Sequence, residues 1–157
     1  QYIDILLKDG TRRSLSLANP PHDDALIELH LRNYGGPFSR HVFTQMKEKD
    51  ILRFEGPLGS FYLREDSNKP VVLLAGGTGF APIKGLVEYA LHIGIQRPMH
   101  FYWGARDRAG LYLHSLAESW ASIHARTASM LANLGLVLRS PGMRSATKAP
   151  APVLMIV

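Results

Sequence analysis

The chain has 157 residues, 46% of them hydrophobic and 20% charged, the composition of a globular protein with room for one ordinary domain or two small ones. It has no cysteine, which excludes a disulfide framework, a thiolate zinc site and an internally held iron–sulfur cluster and agrees with a cytoplasmic protein, the location expected here. No apolar run approaches the roughly 20 residues of a bilayer span. The net charge of +5 is not a phosphate-tracking stripe, because residues 121–157 hold four basic and no acidic residues while the rest carries 14 basic and 13 acidic; neither a membrane nor a nucleic acid is expected as partner.

Tyr2–Lys8 and Arg13–Ala18 flank Asp9-Gly10, which predicts a β-hairpin on a two-residue turn. Leu26–Arg32 alternates with period two and predicts a third strand. Gly35–Ser39 is a loop in which Ser39 is placed to cap a short helix, Arg40–Lys47. Ile51–Glu55 and Ser60–Arg64 predict two more strands around Gly56–Gly59. Short, closely spaced strands with one small helix indicate an antiparallel barrel. Glu65–Pro70 is polar and ends in proline, as a linker does. The pattern then changes to alternating strand and helix. Val71–Ala75 is a strand. Ile83, Leu86, Val87, Ala90 and Leu91 form an apolar helical face that Gly94 ends. Met99–Gly104 is the next strand, and Leu113 to about Ala125 is a second helix with Leu116 and Trp120 inward. The expected division is therefore a barrel domain over residues 1–66 and a parallel-sheet α/β domain over residues 67–157.

The run from Val71 to Pro82 carries the clearest chemistry. A continuous apolar strand of the kind buried in parallel sheets empties into Gly76, Gly77 and Gly79, which leave the backbone N–H groups open to a phosphate. Thr78 adds a hydroxyl, the following helix start adds partial positive charge, and Pro82 suits the first helical turn, where its missing N–H is no loss. Together these describe a dinucleotide site at the C-terminal end of a parallel strand. The run is neither a Walker A loop nor Gly-x-Gly-x-x-Gly, and a tight strand-to-helix turn without a ligand satisfies the same residues.

Taken in order, Arg13–Ser16 with Asn19, Gly35–Ser39, Gly76–Pro82 and Trp103–Arg106 resemble the loops of the ferredoxin–NADP⁺ reductase superfamily of flavoproteins. The resemblance runs over about residues 1–120, and is nearest to bacterial CDP-deoxyhexulose reductases and oxygenase reductase components. It implies a flavin-binding barrel followed by a Rossmann-like nucleotide-binding domain, with FAD and NADH or NADPH as cofactors. By match to the family's Arg-x-Tyr-Ser, Arg13 would hold the FAD phosphates as a fixed fork of donors. Ser14, Leu15 and Asn19 would line the same site, and Ser16 would stand near the reactive edge of the flavin as the one catalytic candidate. Leu15 replaces the family tyrosine and offers apolar cover without π-stacking. Gly36, Phe38 and Ser39 match the Gly-x-x-Ser helix start that receives the FAD pyrophosphate, and His30, Leu31 and Arg32 match the strand that touches the flavin nucleotide. Gly77, Thr78, Gly79, Ala81 and Pro82 match the pyridine-nucleotide loop, and Gly104 and Arg106 an element near the nicotinamide nucleotide. An N-cap serine, a strand histidine or a solvated arginine loop would account for several of these residues singly; their order favours the cofactor reading.

The implied activity is an FAD-dependent NAD(P)H oxidoreductase that passes electrons to an iron–sulfur domain or protein. The alternative is a nucleotide-binding remnant without turnover. The seven histidines show no metal-ligand spacing, so no metal is expected, and no Gly-x-Ser-x-Gly elbow is present. Gln1-Tyr-Ile-Asp has no initiator Met and no signal-peptide pattern. The resemblance implies barrel strands ahead of Tyr2 and a Cys-Gly-Pro-Pro-like ending, so an incomplete chain is expected. Residues 121–157 contain neither an aromatic nor an acidic residue. They are expected to be less ordered and out of the original frame, with Val153–Val157 able to pair as a short strand, or else a divergent tail in which Gly135–Arg139 adds a strand.

Overall fold

The hairpin forms, on a different turn. In the computed structural model, which describes residues 1–126, 134–138 and 153–156, strands β1 (Tyr2–Leu6) and β2 (Arg12–Ser16) pair antiparallel with Leu6 opposite Arg12. The ladder extends to Leu7 and Thr11, and the loop is Lys8-Asp9-Gly10, closed by Gly10 N donating to Leu7 O at 3.0 Å. Asp9 Oδ1 accepts from both the amide and the hydroxyl of Thr11, at 2.9 and 2.7 Å. That local bond favours the longer loop over a two-residue Asp-Gly turn.

Strand β3 is Leu29–Arg32, shorter than the expected 26–32. Asn19 is the reason. Its Nδ2 donates to Asp23 O at 2.6 Å and Leu26 O at 3.0 Å, and its Oδ1 accepts from Glu28 N at 3.0 Å, which curls residues 20–28 into a loop. Helix α1 spans Pro37–Thr44, not 40–47, and its N-cap is Gly36. Pro37 fixes the first helical φ and sets the earlier start. Ser39 is therefore inside the helix rather than at its cap, and its Oγ donates to Gly36 O at 3.1 Å. Strand β4 (Arg53–Leu58) lies slightly later than expected and pairs with β1, giving a three-stranded sheet in the order β2-β1-β4. The expected strand over Ser60–Arg64 does not form, because no described strand offers it a ladder. Ile3, Ile5, Leu29, Leu31, Phe38 and Val42 make the core of this half.

The second half is a parallel α/β unit: β5 (Val71–Gly76), α2 (Phe80–His92), β6 (Met99–Ala105), α3 (His114–Arg126) and β7 (Leu134–Leu138), with sheet order β5-β6-β7. The β5–β6 register runs from Val71 opposite Met99 to Gly76 opposite Gly104. Leu73, Phe80, Ile83, Val87, Phe101, Trp103, Leu111, Ala117 and Trp120 are its core. The Phe80 ring, fully enclosed, stacks on Trp103 at 4.0 Å and on Trp120 at 5.6 Å. Buried aromatic pairs of this kind add about 1 kcal/mol beyond their area. Among the described residues β5 has no partner on its other edge, and Val72 and Leu74 are 60% and 71% exposed.

Both strands anticipated beyond residue 121 are present: β7 extends the parallel sheet, and β8 (Val153–Ile156) pairs antiparallel with β3. Expectations for residues 127–133, 139–152 and 157 fall outside the described residues. No described helix is long and apolar enough to cross a membrane.

Candidate dinucleotide-binding site

Strands β5 and β6 end side by side, and the chain leaves β5 through a single 3₁₀ turn, Gly77–Gly79, that runs directly into α2. Gly77 has φ +52°, a conformation costly for any residue with a Cβ. The turn hangs from its neighbour: Trp103 Nε1 donates to Gly77 O at 2.9 Å. Helix α2 has Gly79 as N-cap and no side-chain capping bond, so its first N–H groups carry no side-chain acceptor. A Cβ built on Gly76 or Gly79 would meet nothing within 4 Å. Pro82 lies in the first turn, where the backbone needs no donor, and Ala81 is buried beneath it. Open glycines over an uncapped helix start fit the phosphates of a dinucleotide. Gly104 and Arg106 follow at the end of β6, with Arg106 exposed. Asp107 then closes a turn by accepting from Gly110 N at 2.8 Å.

A second helix start faces outward in the first half. Gly36 caps α1 without a side-chain bond, and Gly35, at φ +78°, has open space where a Cβ would stand. Arg13 on β2 is exposed, its Nη1 resting on Arg12 O at 2.9 Å. Leu15 and Phe38 turn toward the core of this half, Leu15 partly and Phe38 fully buried. Ser14 donates to Asp4 Oδ1 at 2.6 Å, and Ser16 stands at the end of β2 opposite Tyr2. Asn19 is occupied by the loop it organises. Leu31 is in the core, so its backbone alone can reach a ligand. Arg32 Nη2 donates to Gly110 O at 3.3 Å, whereas its buried Nε has no partner among the described residues. That orphaned donor fits a phosphate or carbonyl oxygen.

The two halves meet along a polar stripe that the pattern of the sequence does not reveal. Lys84 Nζ, on α2, donates to Glu28 Oε2 at 2.8 Å and to Glu88 Oε2 at 2.9 Å. Gly85 packs so closely on the first half that a Cβ there would stand 3.0 Å from Asn19 O. His92 stacks on His22 at 3.7 Å. His30 is enclosed, with Nε2 2.8 Å from Glu28 Oε1 and Nδ1 2.7 Å from Tyr112 OH. Burial holds the His30 imidazole below its ordinary pKa, against the opposing pull of Glu28. Burial also pushes Glu28 upward, but the bonds from Lys84 and His30 outweigh it and leave the carboxyl below the usual range. Burial raises Glu88 and Tyr112. The one sequence signal for this stripe is the i,i+4 pair Lys84 and Glu88 on α2.

An antiparallel module and a parallel α/β module, each presenting an open helix start, form the architecture of flavin- and pyridine-nucleotide-binding oxidoreductases. Residues 1–62 match the oxidoreductase FAD-binding domain and residues 73–141 the oxidoreductase NAD-binding domain. With an oxidoreductase FAD-binding domain followed by an oxidoreductase NAD-binding domain, the chain has the fold of the ferredoxin–NADP⁺ reductases. It is 46% identical over 125 residues to CDP-6-deoxy-L-threo-D-glycero-4-hexulose-3-dehydrase reductase of Yersinia pestis, a match covering 79% of this chain and 37% of that protein. It is likewise 46% identical over 121 residues to terephthalate 1,2-dioxygenase reductase component 1 of Comamonas sp, covering 76% and 36%. The chain thus spans little more than a third of the length of these relatives. Among solved structures, the Amycolatopsis cytochrome P450 reductase GcoB superposes with a TM-score of 0.77 at 33% identity, over 92% of this chain and 44% of that one. Phthalate dioxygenase reductase, a modular structure for electron transfer from pyridine nucleotides to a 2Fe-2S centre, shares the fold, with a TM-score of 0.69 at 20% identity over 92% and 43%.

Proposed function

We propose that this chain is the flavin- and nicotinamide-binding part of an FAD-dependent NAD(P)H oxidoreductase that works in the cytoplasm and delivers electrons to an iron–sulfur domain or protein. One observation carries the reading: two open helix starts, Gly36 on α1 and Gly77–Gly79 before α2, lie on two modules joined by a polar seam. The flavin module is assigned to residues 1–66 and the nucleotide module to residues 67–157, with β8 returning to pair with β3 of the first. Electron transfer from pyridine nucleotides to a 2Fe-2S centre in phthalate dioxygenase reductase supports the same kind of acceptor here.

Arg13, Ser16, Gly36 and Ser39 would hold FAD, with Phe38 fixing α1 in the core and the strand His30-Leu31-Arg32 alongside. Gly77, Thr78, Gly79, Ala81, Pro82, Gly104 and Arg106 would hold the nicotinamide nucleotide. Bound there, FAD would supply hydride acceptance from NAD(P)H and one-electron release to the acceptor. The chain contributes binding and orientation. The α1 and α2 helix starts receive phosphates on backbone N–H groups, and Arg13 and Arg106 add charge that no described carboxylate hydrogen-bonds. Ser16 places a hydroxyl at the end of β2, where it can donate a hydrogen bond to the flavin.

The test is direct. The purified chain, titrated with FAD, is expected to take on a bound-flavin visible spectrum and to reduce ferricyanide at the expense of NADH or NADPH. A protein that stays colourless with FAD at tens of micromolar, or that binds nucleotide without turnover, would overturn the reading.

A further inference from the structure

Bond polarity along the seam is fixed by chemistry. Both oxygens of the Glu28 carboxylate accept, so His30 Nε2 must carry the ring proton. The neutral ring then leaves a lone pair on Nδ1, and Tyr112 O–H donates to it. A continuous chain results: Tyr112 to His30 at 2.7 Å, His30 to Glu28 at 2.8 Å, and Lys84 to Glu28 at 2.8 Å. It starts and ends in the second half and passes through the first.

Both ends of the chain lie close to the helix start that follows the glycine turn. The Tyr112 ring stands edge-on to Phe80 at 5.9 Å and to Trp103 at 5.4 Å. Phe80 directly follows Gly79, and Trp103 holds the Gly77 carbonyl. At the other end Lys84 lies one helical turn beyond Phe80 on α2. The strand that carries His30 continues into Arg32, whose Nη1 is 3.9 Å from where a Gly77 Cβ would stand. A buried polar chain costs desolvation that an apolar contact would not, and what it adds is a single register.

We propose that the Tyr112–His30–Glu28–Lys84 chain is a positioning device that fixes the nucleotide module on the flavin module, so that it governs the rate of hydride transfer between bound cofactors and not the affinity for either. This rests on the functional reading above. Tyr112→Phe, in the full 157-residue chain, deletes one O–H and keeps the ring. The FAD dissociation constant and the half-saturating NADH concentration are expected to stay within about twofold, while the limiting rate of flavin reduction in anaerobic stopped flow falls about tenfold. Lys84→Met cuts the chain at its other end and is expected to give the same split, which guards against a folding defect in one variant. An unchanged limiting rate in both variants, or a loss confined to cofactor affinity, would overturn the proposal. Amide hydrogen exchange without cofactors supplies a readout that does not depend on turnover. Protection of Gly77–Gly79 and Leu29–Arg32 is expected to drop by about tenfold in Tyr112→Phe while β1 and β2 keep theirs. If the parent chain binds no FAD, the functional reading fails on its own, and unchanged exchange at Gly77–Gly79 would still reject the positioning role.

Discussion

The indole N–H of Trp103 donates to the carbonyl of Gly77 at 2.9 Å, tying the end of β6 to the floor of the glycine turn. Trp103 is 1% exposed and its ring stacks on Phe80, the residue that leads the turn into α2. One side chain therefore sets both the height of the turn and the start of the helix. Trp103→Phe keeps an aromatic ring but deletes the donor and leaves Gly77 O without that partner. The expected loss is about 2 kcal/mol of stability, together with weaker NADH binding. Chemical denaturation and a nucleotide titration on the same preparation check both, and an unchanged NADH affinity would count against the bond as a support of the site.

Gly85→Ala is expected to destabilise, against the usual sign for an exposed helix glycine. Alanine gains about 1 kcal/mol of helix propensity. Its Cβ, however, would stand 3.0 Å from Asn19 O and 3.3 Å from Ala18 O, both backbone atoms of the opposite module. Overpacking against backbone costs about 1–3 kcal/mol, so a net loss of about 1 kcal/mol is expected. A rise in Tm would show that the modules separate freely at this point.

Stability is expected to fall with pH below the imidazole range. The folded His30 pKa lies below the ordinary 6.5, because burial disfavours the charged ring. Below 6.5 the unfolded chain takes up a proton that the folded chain refuses, so the stabilisation present above that pH is lost as pH falls toward the folded value. Glu28, also held below its ordinary value of 4.5, adds a loss of the same sign at lower pH, and Glu88, raised by burial, opposes it. Lys84 and Tyr112 face the pair from the other module and keep their protons throughout this window. Tm measured from pH 7.5 to 5.5 is expected to drop, and to drop less in His30→Gln. Equal slopes in the two proteins would remove His30 as the titrating group.

Arg13→Gln addresses the flavin side. Its guanidinium is exposed and hydrogen-bonds only the carbonyl of Arg12 among the described residues. A charge-assisted bond to a phosphate is worth about 1.5–3 kcal/mol, so FAD affinity is expected to fall by at least about tenfold and to lose part of its salt dependence. Flavin fluorescence titration at two salt concentrations checks this; equal affinity in the two proteins would take Arg13 out of the proposed site.

What could be read from the chain alone was whatever is encoded within a few neighbouring residues. The apolar run Val71–Ala75 emptying into glycines announced a strand, a turn and a helix start, and all three are present because each depends on local backbone freedom and period. Gly94 after α2 and the inward Trp120 of α3 follow the same logic. The errors fell where local signals competed. Ser39 is a good cap residue, but Pro37 started α1 earlier, and Asp9-Gly10 turns on the longer loop that Thr11 stabilises. Ser60–Arg64 reads as a strand yet no described strand pairs with it.

The seam was decided by tertiary structure. Glu28, His30, Lys84 and Tyr112 look ordinary one at a time: a strand histidine, a surface ion pair, an aromatic after a loop. Their meaning comes from distances of 2.7 and 2.8 Å across segments separated by as much as 82 positions in the chain. A hydrogen bond needs a donor and an acceptor in line at one distance, and nothing in the spacing of residues along a chain specifies that. Once the two halves close, burial removes water as the competing partner, and the same four side chains become a hydrogen-bonded link between the two halves.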